Sequence, residues 1–276
     1  MASHPHSQLA NIPVVAAQSA HMVHTFRAWP QAYWSRPAFC PGWSAADAVA
    51  HLASGGEFYA QVISAGRSGT PQLPWGASTA TEFREARQAA VRQLIDAGPA
   101  ALIEGFARSA ARLQEVLESL QEADLAKAAW HPRGLIPIGS WIGMRLIELG
   151  AHDWDIRQPH EAQAYLSPTV LPALVGVLPD LHAQFLHQRL SGGLDGVYTL
   201  CADEVAWGFT VHDKTVTSHA NAPEASHTCL SADAESMVLL SLGRADMEAK
   251  IQSGALALRG DSAKGRQLCA ILFRAF

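Results

Sequence analysis

The sequence changes texture once, at Ser191-Gly192-Gly193-Leu194-Asp195-Gly196. Before that junction, apolar residues recur at intervals of three and four, the repeat of helices that bury one face. After it they alternate, the repeat of half-buried strands. Neither a single bundle nor a single sheet accommodates both patterns, and 276 residues leave room for two modest domains. The expected fold is therefore mainly α and two-domain. A helical bundle is expected over residues 1–165, then a connecting helix and a small α+β domain over residues 166–276.

Residues 7–28 place Leu9, Ile12, Val15, Met22 and Phe26 on one helical face, and Pro13 suits a first turn. A Pro/Trp-rich link ends at Cys40-Pro41-Gly42-Trp43. Ser44 then reads as an N-cap, and Asp47 three residues on completes a capping-box pattern. The helix it opens runs to about Ala65, with Val49, Leu52, Phe58 and Val62 inward and His51 near its start. Residues 66–79 read as a loop, followed by helices over 81–96 and 98–121 that Gly98-Pro99 separates. After His131-Pro132-Arg133-Gly134 comes a helix bearing Glu148 and His152, which stops by Pro159, and then one over 168–190. Past the junction, strands are expected at Val197–Leu200, Val205–Val211, Thr215–Thr217 and Ala255–Arg259, with a hairpin turn at His212-Asp213-Lys214. Helices are expected at Ala234–Leu242 and Ser262–Phe276.

Composition excludes several function classes. Lysines and arginines are few and scattered, so no nucleic-acid partner is expected. The most apolar run, Val170 to Leu178, is broken by Pro172 and too short to cross a bilayer, so no membrane partner is expected either. The first residues lack the basic flank and apolar stretch of a signal peptide. Cys40, Cys201, Cys229 and Cys269 form no Cys-x-x-Cys pair and fit reduced thiols, which predicts a cytoplasmic protein. No Walker loop, dinucleotide fingerprint or Gly-x-Ser-x-Gly elbow occurs.

Glu148 and His152 stand four residues apart in an expected helix. That spacing offsets them by about 40° around the axis and ~6 Å along it, so both can reach one metal ion. His51 from another helix would complete a three-ligand site with a vacant position, the catalytic form of a zinc site. A buried, hydrogen-bonded His–Glu pair has the same spacing, and the residues alone leave both readings open. Of the thirteen histidines, His21 and His24 also have ligand spacing but lack an accompanying carboxylate, while His182 and His187 point to different faces. Asp155 shares the Glu148/His152 face, as a partner for a ligand imidazole or substrate, or as a solvated helix end. Asp47 could orient His51 or serve the helix N-terminus. Trp43 and Trp154 are either pocket walls or core.

Cys40-Pro-Gly-Trp-Ser-Ala-Ala-Asp-Ala-Val-Ala-His51-Leu, followed about a hundred residues later by Glu148-x-x-x-His152-x-x-Asp155, resembles the mycothiol-dependent maleylpyruvate isomerase family. Its N-terminal domain is DinB-like, a metal-binding four-helix bundle, and many members carry a sterol-carrier-like C-terminal domain, which the α+β end of this chain resembles. The resemblance implies a divalent metal on His51, Glu148 and His152. Zn2+ is the default for such nitrogen and oxygen donors, with nickel, cobalt or iron also fitting. It implies a low-molecular-weight thiol cofactor, mycothiol, and a small-molecule electrophile as the second partner. The implied reaction is S-transfer or a maleylpyruvate-type cis/trans isomerisation, with the thiol held at the metal as thiolate. The family also implies a substrate-contacting arginine from the C-terminal domain, for which Arg259 and Arg244 are the candidates; with Asp155 they form the expected catalytic set. Two other readings remain: a hydrolase using metal-bound water, and a non-enzymatic metal- and apolar-ligand-binding protein.

Overall fold

Four helices build the first unit of the computed structural model, which describes residues 8–190 and 192–273 and divides between Val170 and Leu171. They are α1 (Ile12–Ala28), α2 (Ala45–Arg67), α4 (Pro99–Glu118) and α5 (Ile138–Arg157), while α3 (Ala80–Asp96) lies against α2 and α4. Helices α1 and α2 each touch both α4 and α5, which closes the bundle around Met22, Phe26, Leu52, Ile63, Leu102, Phe106 and Trp141. Pro13 and Pro99 sit in first turns, where a missing N–H costs nothing. At the head of α2 the expected capping box forms. Ser44 Oγ accepts from the Asp47 N–H at 3.3 Å, and Asp47 Oδ2 accepts from the Ser44 N–H at 2.8 Å.

The stretch before α5 holds structure that sequence periodicity did not reveal. Strands β1 (Ala128–His131) and β2 (Gly134–Pro137) pair antiparallel, with Trp130 opposite Leu135, and β1 packs on α2. Four-residue strands are too short to show alternation. Gly66 permits that packing: a Cβ there would lie 2.6 Å from the Ala128 carbonyl oxygen and 2.9 Å from Ala129 Cα. Backbone cannot step aside as a side chain can, so Gly66→Ala is expected to destabilise the first domain by about 1–3 kcal/mol. A lowered urea midpoint with unchanged slope is the expected readout.

The second unit begins with α6 (Leu171–Arg189), which packs on α7 (Ala234–Ser241) and α9 (Ser262–Leu272). Its sheet has the order β5-β4-β3-β6-β7. Strands β3 (Gly196–Ala202), β4 (Val205–His212) and β5 (Thr215–His219) form an antiparallel meander, and Asp213 and Lys214, at φ 47° and 63°, make the expected tight turn. The chain then crosses to β6 (Thr228–Ala232), parallel to β3, and after α7 and α8 (Met247–Gln252) returns antiparallel as β7 (Leu256–Gly260). Tyr198, Leu200, Trp207, Phe209 and Leu230 line the buried face, which α6, α7 and α9 cover. Strand β6 and helix α8 are additions to the elements expected from the sequence. The last expected helical positions, 274–276, lie outside the described residues. The architecture is nonetheless the expected one, a four-helix bundle followed in the chain by a small α+β domain. No helix among the described residues is long and apolar enough to cross a membrane.

Candidate metal centre

Helix α5 is buried nearly all round, so the polar side chains it carries inward, Arg145, His152, Asp153 and Asp155, must find partners inside the bundle. Across from it, the second turn of α2 presents His51. His51 Nε2 lies 2.8 Å from Glu148 Oε2, and His152 Nε2 lies 3.6 Å from the same oxygen. One donor atom from each residue falls within 4.8 Å of the other two. The side chains of His51 and Glu148 are 24% and 34% exposed and that of His152 10%, so the cluster is partly accessible to solvent. Trp43 closes one side: its ring stacks on His152 at 5.6 Å and leans on His51 at 5.0 Å.

Behind His152 stands Asp155, wholly buried, with Oδ2 2.9 Å from His152 Nδ1. A carboxylate there accepts from Nδ1–H, which fixes the tautomer and turns the Nε2 lone pair toward Glu148. Cys40 donates its thiol to the same Asp155 oxygen at 3.2 Å. Cys40, His152 and Asp155 form a second grouping of potential ligands, sharing His152 with the first.

Burial lowers the pKa of His51, the hydrogen bond and charge of Glu148 raise it, and the charges of His152 and Arg87 lower it further; the net direction is down. For Glu148 burial alone would act upward. The hydrogen bond and charge of His51, with the charges of His152 and Arg145, instead hold its carboxyl well below the usual range. At neutral pH the pair is thus an ionised carboxylate against a neutral imidazole, the protonation states that metal coordination requires. Three convergent donors, one of them anionic, with a fixed imidazole tautomer and partial solvent access, fit a divalent cation.

The other sequence candidates are placed as follows. Asp47 is committed to the Ser44 cap and does not serve His51. Trp154 is core, packed on Phe39 at 5.1 Å with its Nε1 bonded to the Ala164 carbonyl. His21 and His24 are exposed on α1. Arg259 is exposed on β7 opposite Cys229, and Arg244 donates from Nη1 to the Leu242 carbonyl at 2.7 Å; both belong to the second unit. Sequence reasoning missed Cys40, Arg145 and Arg87 as neighbours of the cluster. Only Arg145 left a signal, three residues before Glu148 on the same helix.

Among curated proteins, none matches this sequence. Two of the matching solved structures are covered over most of both chains. Both are of the mycothiol-dependent maleylpyruvate isomerase, one of them a histidine-to-alanine mutant. The mutant superposes with a TM-score of 0.61 at 16% identity, covering 94% of this chain and 95% of that one. The other gives 0.60 at 17% identity with the same coverage. At that identity they establish the shared fold. The sequence profile of the mycothiol maleylpyruvate isomerase N-terminal domain matches residues 15–157, a span that contains all three candidate ligands and more than half of the chain. Through that domain, this chain belongs to the mycothiol maleylpyruvate isomerase family.

Proposed function

We propose that this protein is a metal-dependent enzyme that activates a low-molecular-weight thiol, mycothiol, toward a small electrophile. His51, Glu148 and His152 would hold the divalent ion, with zinc the default for this donor set. The observation that carries the proposal is their convergence, from two helices, within a domain of the mycothiol maleylpyruvate isomerase family. A divalent ion at that position supplies positive charge that favours a thiolate over a thiol of ordinary pKa near ~8.5, the form that adds to electrophilic carbon.

The residues prepare the site before any ligand arrives. Burial favours the neutral form of His51, and a cation taking the place of the Nε2 hydrogen would leave the remaining proton on Nδ1. Asp155 holds His152 in the one tautomer and orientation that aims Nε2 into the cluster. Trp43 shields the two imidazoles from water on one side. Isomerisation and S-transfer share the sulfur addition and differ in whether sulfur leaves; the family favours isomerisation. Cys40, Cys201, Cys229 and Cys269 form no disulfide.

Elemental analysis of the purified chain is expected to find one divalent ion per molecule. Chelation is expected to abolish electrophile-dependent consumption of mycothiol, and zinc to restore it. Undiminished consumption by the metal-free protein would sink the proposal.

A further inference from the structure

Two of the four cysteines are neighbours in the second domain. The strand register sets Thr199 of β3 beside Cys229 of β6, and Cys201 beside Ser231, so Cys201 and Cys229 are diagonal neighbours. Both are half-buried and neither is in a disulfide. Alternation puts them on the face of the sheet opposite the helix-covered side lined by Tyr198, Leu200 and Leu230. Thr199 shares their face, and its partner on β4 is Gly208. A Cβ on Gly208 would lie 2.5 Å from Pro223 Cδ, so the connection into β6 crosses the sheet there. Beneath it Thr199 is 5% exposed, and its Oγ1 has no partner among the described residues.

Two residues along at about 3.3 Å each and one strand across at about 4.8 Å put the two α-carbons about 8 Å apart. A disulfide spans about 4.4–6.8 Å, so this pair cannot close on itself without moving a strand. The thiols nonetheless interact: burial first, then the charge and hydrogen bond of Cys229, push the Cys201 pKa up to about 11. A hydrogen shared between two sulfurs marks a place where a soft cation can stand instead, with one sulfur on either side. Two thiolates around a monovalent ion carry one net negative charge. Arg259, opposite Cys229 on β7, brings a positive charge to the same face, and the Thr199 hydroxyl brings an uncommitted donor. No histidine or carboxylate completes a group of three with these sulfurs among the described residues. Two ligands are too few for zinc, whose protein sites use three or four.

We propose that Cys201 and Cys229 form a two-coordinate site for a soft monovalent cation, the cuprous ion, on the face of the second-domain sheet away from its helices. Binding breaks two S–H bonds and forms two copper–sulfur bonds; two protons leave to solvent and nothing changes oxidation state. The site uses no residue of the trio on α2 and α5, and it stands whether or not the function proposed for that trio holds.

Anaerobic titration of the full chain with cuprous ion, in competition with a chromogenic cuprous chelator, tests the site. One cuprous ion per chain is expected to withstand the chelator. Cys201→Ser and Cys229→Ser are each expected to weaken its hold roughly 100-fold or more, since one of two ligands is gone. Cys40→Ser and His51→Ala are expected to retain the ion, and excess zinc not to displace it. X-ray absorption at the copper edge is expected to show two sulfur ligands and no nitrogen; measured on the wild-type chain, it decides even if a serine variant misfolds. No ion held against the chelator, wild-type affinity in Cys201→Ser or Cys229→Ser, loss of the ion in Cys40→Ser, or nitrogen bound to the copper would each overturn the site.

Discussion

His51→Ala and Glu148→Gln are each expected to lower metal affinity by roughly 10²- to 10³-fold and to remove thiol-dependent turnover with it. Four-ligand zinc sites bind with about 10–16 kcal/mol, so one ligand is worth about 2.5–4 kcal/mol. The two substitutions act differently. His51→Ala removes a neutral donor and also the hydrogen bond at 2.8 Å that foremost holds Glu148 ionised. Glu148→Gln removes the only anion of the trio, leaving the dication facing two neutral rings with the buried Arg145 charge nearby. Asp155→Asn touches no ligand atom of the trio directly, and its expected loss is smaller, about 10- to 100-fold, through the freed His152 tautomer. The fold should survive all three, since the core of the bundle lies in Met22, Phe26, Leu52, Phe106 and Trp141 rather than in the cluster. The measurement is competitive metal titration beside far-UV circular dichroism. Wild-type zinc affinity in His51→Ala would show that the cluster is a hydrogen-bonded pair and not a metal site.

What could be read from the sequence was what neighbouring residues decide among themselves. Ser44 and Asp47 cap α2 through three residues of local chain, and Glu148 and His152 share a face because four residues nearly complete a turn. The pairing of His51 with that face spans 97 residues; the residues alone offer it as one of two readings, and the family resemblance singles it out. On α5, Arg145 precedes Glu148 by three residues and shares its face, but nothing local tells whether the arginine is buried. On α3, Arg87 sits among exposed polar residues, and only the tertiary contact with Phe58 singles it out. Cys40 meets Asp155 across 115 residues, beyond any local pattern. In the second domain, β6 escaped notice because Thr228, Cys229 and Ser231 dilute its alternation, although Leu230 is fully buried.

Acid is expected to destabilise the second domain through His182, a residue the sequence offered only as an unpaired ligand candidate. It is fully buried on α6 beside Trp207, at 5.6 Å between rings. Its Nε2 lies 2.8 Å from Ser241 Oγ, and that hydroxyl already donates its one proton to the Met237 carbonyl at 2.7 Å. Nε2 must therefore carry the hydrogen, and Nδ1 is left without a partner among the described residues. Adding a proton at Nδ1 would place an uncompensated charge in the core, and burial pushes the pKa down to about 3 from the ordinary 6.5. The unfolded chain takes up that proton below pH 6.5 while the folded one does not until about pH 3, so stability falls as pH drops through that window. Between pH 7 and pH 4.5 the loss from this one group is about 3 kcal/mol. His182→Leu gives up the bond to Ser241 at neutral pH but has no proton to gain. Urea denaturation at pH 7 and 4.5 should show the wild type losing about 3 kcal/mol more than the variant. The difference isolates His182 from His51, whose lowered pKa weakens the metal-free first domain in acid in both proteins alike. Equal losses in the two proteins would mean that the buried imidazole already takes up its proton in the folded state.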